Sequence, residues 1–246
     1  MIAGPSKHRT AECWARSVCI AVLLACAGSP AFAAPTDVAA VRALIETDPA
    51  MAAYRSEVDS LCAPFSVLAT QRIPLSLLEN ILREGVSKGV SSSALQAALT
   101  KEALRLVEAK EILAASAGDP SAAVAGQLFE ERLKRLSLVL QGGVPREVAT
   151  SILAVSPGRG LTFSETLLAI LQVGPLDSRE MIDLARGVLA SSLTPASYRA
   201  LPPLFVRARL RGLGMGETAG LIEGLLSRGF GIIQIDAQIR NHARKP

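Results

Sequence analysis

The chain reads as an all-α protein of stacked helical hairpins, an irregular α-solenoid or bundle of about nine helices. Three observations predict this. Half of the 246 residues are hydrophobic, mostly Ala, Leu and Val, while aromatic residues make up only 4%. Helix start and stop signals are dense. The same helical phrase also recurs along the sequence. Strong helix formers dominate and alternating β-branched runs are nearly absent. Only Phe230-Gly-Ile-Ile-Gln-Ile235 has strand character, and one strand cannot make a sheet.

The first element is not part of that fold. A basic head from Lys7 to Arg16 leads into the apolar run Val18–Ala27, then a Gly28-Ser29-Pro30 break, then Ala31-Phe32-Ala33 before Ala34. This is the three-part layout of a secretory signal with an A-x-A cleavage site carried by Ala31 and Ala33. The apolar run is well short of the ~20 residues that a spanning helix needs. Leu23-Leu24-Ala25-Cys26 offers a competing site, because it resembles a bacterial lipobox with Cys26 as the lipidated residue. The leucine two positions before Cys26 departs from that pattern, in which a small residue is usual. The expected localisation is therefore exported, periplasmic or extracellular, and lipid-anchored if Cys26 is the processing site.

Removal of residues 1–33 changes the chemistry available. It takes away Cys13, Cys19 and Cys26, the only Trp and His8, leaving Cys62 and His242 in 213 residues. The full chain carries +4, but loss of Lys7, Arg9, Arg16 and Glu12 leaves 23 basic and 21 acidic side chains, a net +2. Much of the basic character thus belongs to the leader, and no nucleic-acid partner is expected. No later segment reaches 18 uninterrupted apolar residues, so no transmembrane span is expected in the mature chain. A lone Cys62 on a helix face reads as a small apolar residue.

Residues 34–72 form N-terminal helices. Met51, Tyr54, Val58 and Leu61 share one face. Asp48-Pro49, Asp119-Pro120 and Thr194-Pro195 each set a capping side chain before a proline at the first helical position. Ser76-x-x-Glu79 and Thr162-x-x-Glu165 fit the capping box, and Asp177-x-x-Glu180 is a looser version. Gly142-Gly143, Gly174-Pro175 and Gly212 read as helix stops. The longest helix is expected from about Ser93 to Ala115. Phe129, Leu133, Leu136 and Leu140 form an apolar stripe, with Glu130–Lys134 and Glu131–Arg135 as expected surface pairs.

Residues 73–246 carry the repeat and form one domain with the helices before them. Ile73-Pro74…Ile81-Leu82…Lys88-Gly89-Val90 matches Val144-Pro145…Ile152-Leu153…Arg159-Gly160-Leu161 and Leu213-Gly214…Leu221-Ile222…Arg228-Gly229-Phe230. Each copy reads as a short helix, a basic-Gly loop and an apolar residue opening the next element. Such units stack because one alone cannot bury its apolar face. The phrase Ile73-Pro-Leu-Ser-Leu-Leu-Glu-Asn-Ile-Leu-Arg-Glu-Gly-Val-Ser-Lys-Gly-Val90 resembles a helix-hairpin motif of exported, uncharacterised bacterial α-helical proteins. The resemblance implies a helical fold and export and attaches no activity.

Catalytic groups are scarce after the leader. Ser-His and Cys-His mechanisms need a histidine base, and His242 stands in a basic C-terminal tail. The usual zinc ligand sets need several Cys and His, so no metal and no cofactor is expected. Gly212-Leu-Gly-Met-Gly216 lacks the preceding strand of a dinucleotide site. Glycoside hydrolysis needs only two carboxyl groups, with Glu79, Glu84 and Glu165 as candidates, so a hydrolase of an envelope polymer is the alternative function. The leading expectation is a non-enzymatic binding or scaffolding role. Its candidate contact residues are Arg207, Arg209 and Arg211, in a C-terminal quarter with eight basic residues from Arg199 onward. They would meet an envelope protein or an anionic envelope component.

Overall fold

The computed structural model describes residues 37–116 and 127–242. These residues hold eleven α-helices and two 3₁₀ segments. Strands are absent among the described residues. The order is α1 (Val38–Thr47), the 3₁₀ segment Pro49–Glu57, α2 (Val58–Thr70), α3 (Ser76–Ser87), α4 (Ser92–Ser116), α5 (Gln127–Gln141), α6 (Arg146–Val155), α7 (Pro157–Leu171), α8 (Ser178–Ala190), the 3₁₀ segment Pro195–Ala200, α9 (Leu201–Leu210), α10 (Met215–Ser227) and α11 (Ile232–His242). The count exceeds nine because some boundaries are too short to read. A single extended residue, Ser156 (φ −160°, ψ 100°), divides α6 from α7, and Pro157 starts the new helix. The strand-like phrase at Phe230 belongs to a turn and to α11. There Ile235 and Ile239, one turn apart, are fully buried, and packing overrides the β preference of isoleucine.

Several starts follow the capping chemistry. Asp37 accepts from the Ala40 amide at 2.7 Å and Asp48 from the Ala50 amide at 2.9 Å. Asp177 and Glu180 form the complete reciprocal box of α8, with bonds of 2.8 and 2.9 Å. The two better sequence matches are not caps. Ser76 lies inside α3 and donates to Glu130 at 3.1 Å. Thr162 and Glu165 lie inside α7 and engage Arg135. Thr194 makes no capping bond to the backbone, its hydroxyl lying 3.0 Å from that of Ser197. Asp119-Pro120 lies outside the described residues.

The three repeat starts share one local geometry. Each follows a residue with left-handed backbone: Arg72 (φ 53°), Gly143 (φ 97°) and Gly212 (φ 86°). The next amide then reaches back five residues, Ile73 to Leu68, Val144 to Val139 and Leu213 to Ala208, at 2.9, 3.3 and 3.1 Å. This is the Schellman ending of α2, α5 and α9, and it places an apolar residue just beyond the helix. The basic-Gly pair closes a helix at Lys88-Gly89 and Arg228-Gly229. Arg159-Gly160 differs, since it sits within the first turn of α7 rather than in a loop.

Packing runs in two successions. Helices α2, α4, α6, α8 and α10 each touch the next in that series, as do α5, α7, α9 and α11. Cross-contacts α3–α4, α4–α5, α6–α7, α7–α8 and α9–α10 join them, and α1 covers α2. One continuous apolar core runs from Val41 to Ile239. Its widest side chains include Phe65, Phe163, Tyr198 and Phe205, all fully buried.

Candidate functional site

Helix α9 is amphipathic in an unusual way. Leu201, Leu204, Phe205 and Ala208 are buried, facing the core. The remaining circumference carries Val206, Arg207, Arg209 and Leu210, with Arg211 at the C-cap. Alternate positions on a helix lie about 200° apart, so the three arginines spread over the outer surface rather than forming one line. Their environments differ accordingly.

Arg207 reaches α11. Its Nη1 lies 3.0 Å from Oδ1 of Asp236, a carboxylate whose side chain is only 12% exposed. Arg240 donates from Nη2 to Oδ2 of the same carboxylate at 2.7 Å. The Arg207 contact is close enough for charge but poorly aligned, so Oδ1 has no directed hydrogen bond. Arg207 Nε also points to the Pro203 carbonyl at 3.4 Å. Arg209 donates to the Val173 carbonyl, just past the end of α7. Arg211 is exposed and makes no hydrogen bond or ion pair among the described residues, and the same holds for Arg199.

Exposed aliphatic side chains stand on the same two packed helices. Val206 is 44% exposed, Leu210 80% and, on α11, Ile233 83%. Sequence reasoning named the arginines and missed these neighbours. Helical spacing alone does not reveal which of several apolar residues on a short helix will be left outside.

The candidate carboxylates are each held by a base. Glu79 is buried and pairs with Arg83 at 2.7 Å. Glu84 pairs with Lys88 one turn on. Glu165 receives Arg135 through two bonds of 2.6 and 2.7 Å that tie α5 to α7. That pair replaces the expected Glu131–Arg135 contact. The Glu165 hydrogen bond is the main cause that raises the Arg135 guanidinium above its ordinary value, which keeps it charged at any accessible pH. Glu130 accepts from Ser76. A partly buried group that the sequence did not signal joins α4 to α5. There Glu102 receives Ser137 Oγ at 2.5 Å and pairs with Arg105.

Cys62 is buried within α2, and desolvation pushes its thiol up from the ordinary range. His242 is the last residue of α11, and Ala31, Ala33 and Cys26 lie outside the described residues. Among the described residues no group of three His, Cys, Asp or Glu side chains comes together as a metal site. None of the described helices is long and apolar enough to cross a membrane. A small apolar cleft of about 120 Å³ lies between α2 and α4, lined by Ala63, Pro64, Val67, Thr100, Ala103 and Leu104. The chain matches no known family model, no curated protein and no solved structure.

Proposed function

We propose that the chain is an exported, non-enzymatic binding or scaffolding protein of the periplasm or cell envelope, built as a short α-solenoid of stacked hairpins. The observation that carries this reading is that α9 and α11, packed on each other and joined by Arg207 and Asp236, both carry arginines and exposed aliphatic side chains while their other faces are buried. The solenoid reading draws on the two successions of helices, in which each helix packs on the next but one. Export draws on residues 1–33, with cleavage after Ala33 or lipidation at Cys26 as the two processing outcomes.

The non-enzymatic part of the reading draws on the carboxylates. A carboxylate-pair hydrolase needs one acid kept protonated and one free base or nucleophile. Glu79, Glu84 and Glu165 are instead occupied by Arg83, Lys88 and Arg135. The test is affinity capture from envelope extracts with the wild-type chain and with Arg199→Glu/Arg211→Glu. These two arginines have no described internal partner, so their reversal breaks no described hydrogen bond or ion pair, and a circular dichroism melt checks that the variant is folded. Selective loss of the captured component from the variant is the expected result. Equal recovery by both chains sinks the contact-face reading.

A further inference from the structure

We infer that the α9–α11 surface is a docking face for an anionic phospholipid bilayer, bound in the plane of the interface rather than across it. This rests on the reading of that surface as the contact face and names its partner. The first support is charge. The 3₁₀ segment before α9, α9 itself and α11 carry Arg199, Arg207, Arg209, Arg211 and Arg240 against the single acid Asp236. A local net charge of that sign is complementary to anionic headgroups. Arg207 and Arg240 hold Asp236. Because a guanidinium has five donors, each keeps others that can turn outward.

The second support is the exposed aliphatic set. Leu210 and Ile233, at 80% and 83%, are among the most exposed large apolar side chains of the described residues, and Val206 adds to them. A soluble polyanion would offer these side chains no apolar phase. A bilayer offers headgroups to the arginines and the acyl boundary to Leu210 and Ile233, the combination used by helices that lie in an interface. The third support is position. α11 packs on α9, and the Arg207–Asp236 pair at 3.0 Å joins the two helices. No described helix is long and apolar enough to cross a membrane, which suits attachment from one side.

The experiment is co-sedimentation of the full chain with phosphatidylcholine vesicles, with or without about a third phosphatidylglycerol. Three chains are compared: wild type, Leu210→Asn/Ile233→Asn, and Arg199→Gln/Arg211→Gln. All share the same N-terminal apolar segment, so differences report the α9–α11 face. Circular dichroism melts confirm that each is folded. The expected result is phosphatidylglycerol-dependent binding that falls about tenfold in each double variant. Equal sedimentation of all three, or no dependence on phosphatidylglycerol, overturns the proposal. So does loss of binding in the arginine variant alone, because the aliphatic residues would then have no part. A soluble polyphosphate arm separates the two levels. Arginine-dependent binding to polyphosphate without vesicle binding overturns the bilayer assignment and leaves the contact-face reading standing.

Discussion

Burial pushes the Cys62 thiol above its ordinary range, and this outweighs the opposing pull of the Arg42 guanidinium. A thiol with a raised folded value makes its full contribution to stability at neutral pH. That contribution is lost as pH rises from the unfolded thiol value through the folded one. Alkylation at pH 8 should therefore modify Cys62 at least about tenfold more slowly in the folded chain than in urea, read from the Cys62 peptide by mass spectrometry. A second residue-scale test concerns Arg159. Its Nε donates to the Tyr198 hydroxyl at 3.0 Å, and its Nη2 donates to the Leu193 and Ser191 carbonyls at 2.8 and 3.3 Å. The Tyr198 ring is fully buried and meets Phe163 edge to face at 5.8 Å. Lysine cannot reproduce this fork, so Arg159→Lys should cost about 1–2 kcal/mol in urea unfolding. Tyr198→Phe should cost about 1 kcal/mol.

At the scale of elements, caps and close approaches decide where helices stop. Asp177→Ala removes the complete capping box at the start of α8, and about 1 kcal/mol of stability should go with it. The crossing of α6 and α7 is tighter. A methyl group on Gly160 would stand 2.8 Å from the Ile152 carbonyl oxygen, a backbone atom that cannot step aside. Gly160→Ala should therefore cost about 1–3 kcal/mol, although alanine is the better helix former. A lower melting temperature for G160A with unchanged helical content would show that the cost lies in packing. An unchanged or higher melting temperature would remove this account of the α6–α7 junction.

For the molecule as a whole, the packing pattern predicts uneven stability. α4 lies against α2, α3, α5 and α6, and it buries Leu95, Leu99, Ala103, Leu106, Ala109, Ile112 and Leu113. α11 rests chiefly on α9. Leu99→Ala should cost about 2–5 kcal/mol. Amide exchange should be slowest in α4 and fastest in α1 and α11, because α4 is packed against four helices while α11 rests chiefly on α9 and α1 on α2 and the 3₁₀ segment after it. Uniform protection along the chain would argue for a single cooperative bundle instead.

What could be read in the sequence is what depends on near neighbours along the chain. Alanine- and leucine-rich spacing determined the all-α class. It also placed the long helix within a residue or so of Ser92–Ser116, and it identified the Phe129, Leu133 and Leu136 stripe as buried. The recurring phrase marked Ile73, Val144 and Leu213 as starts, and each follows a Schellman ending, which is a local structure. Polar side chains were less legible. Arg135 passes over Glu131 one turn away for Glu165 thirty residues on, and Ser76 leaves its supposed cap for Glu130. A pair within one exposed helix gains only a few tenths of a kcal/mol, so a partner brought close by packing readily displaces it. The candidate surface divides the same way. The sequence alone determined that the C-terminal quarter is rich in arginine. Only the tertiary structure decided that Arg207 serves Asp236, that Arg209 serves Val173, and that Arg199, Arg211, Leu210 and Ile233 are left facing outward. The physical reason is that exposure and pairing belong to surfaces made when helices meet, and no single helix contains that information.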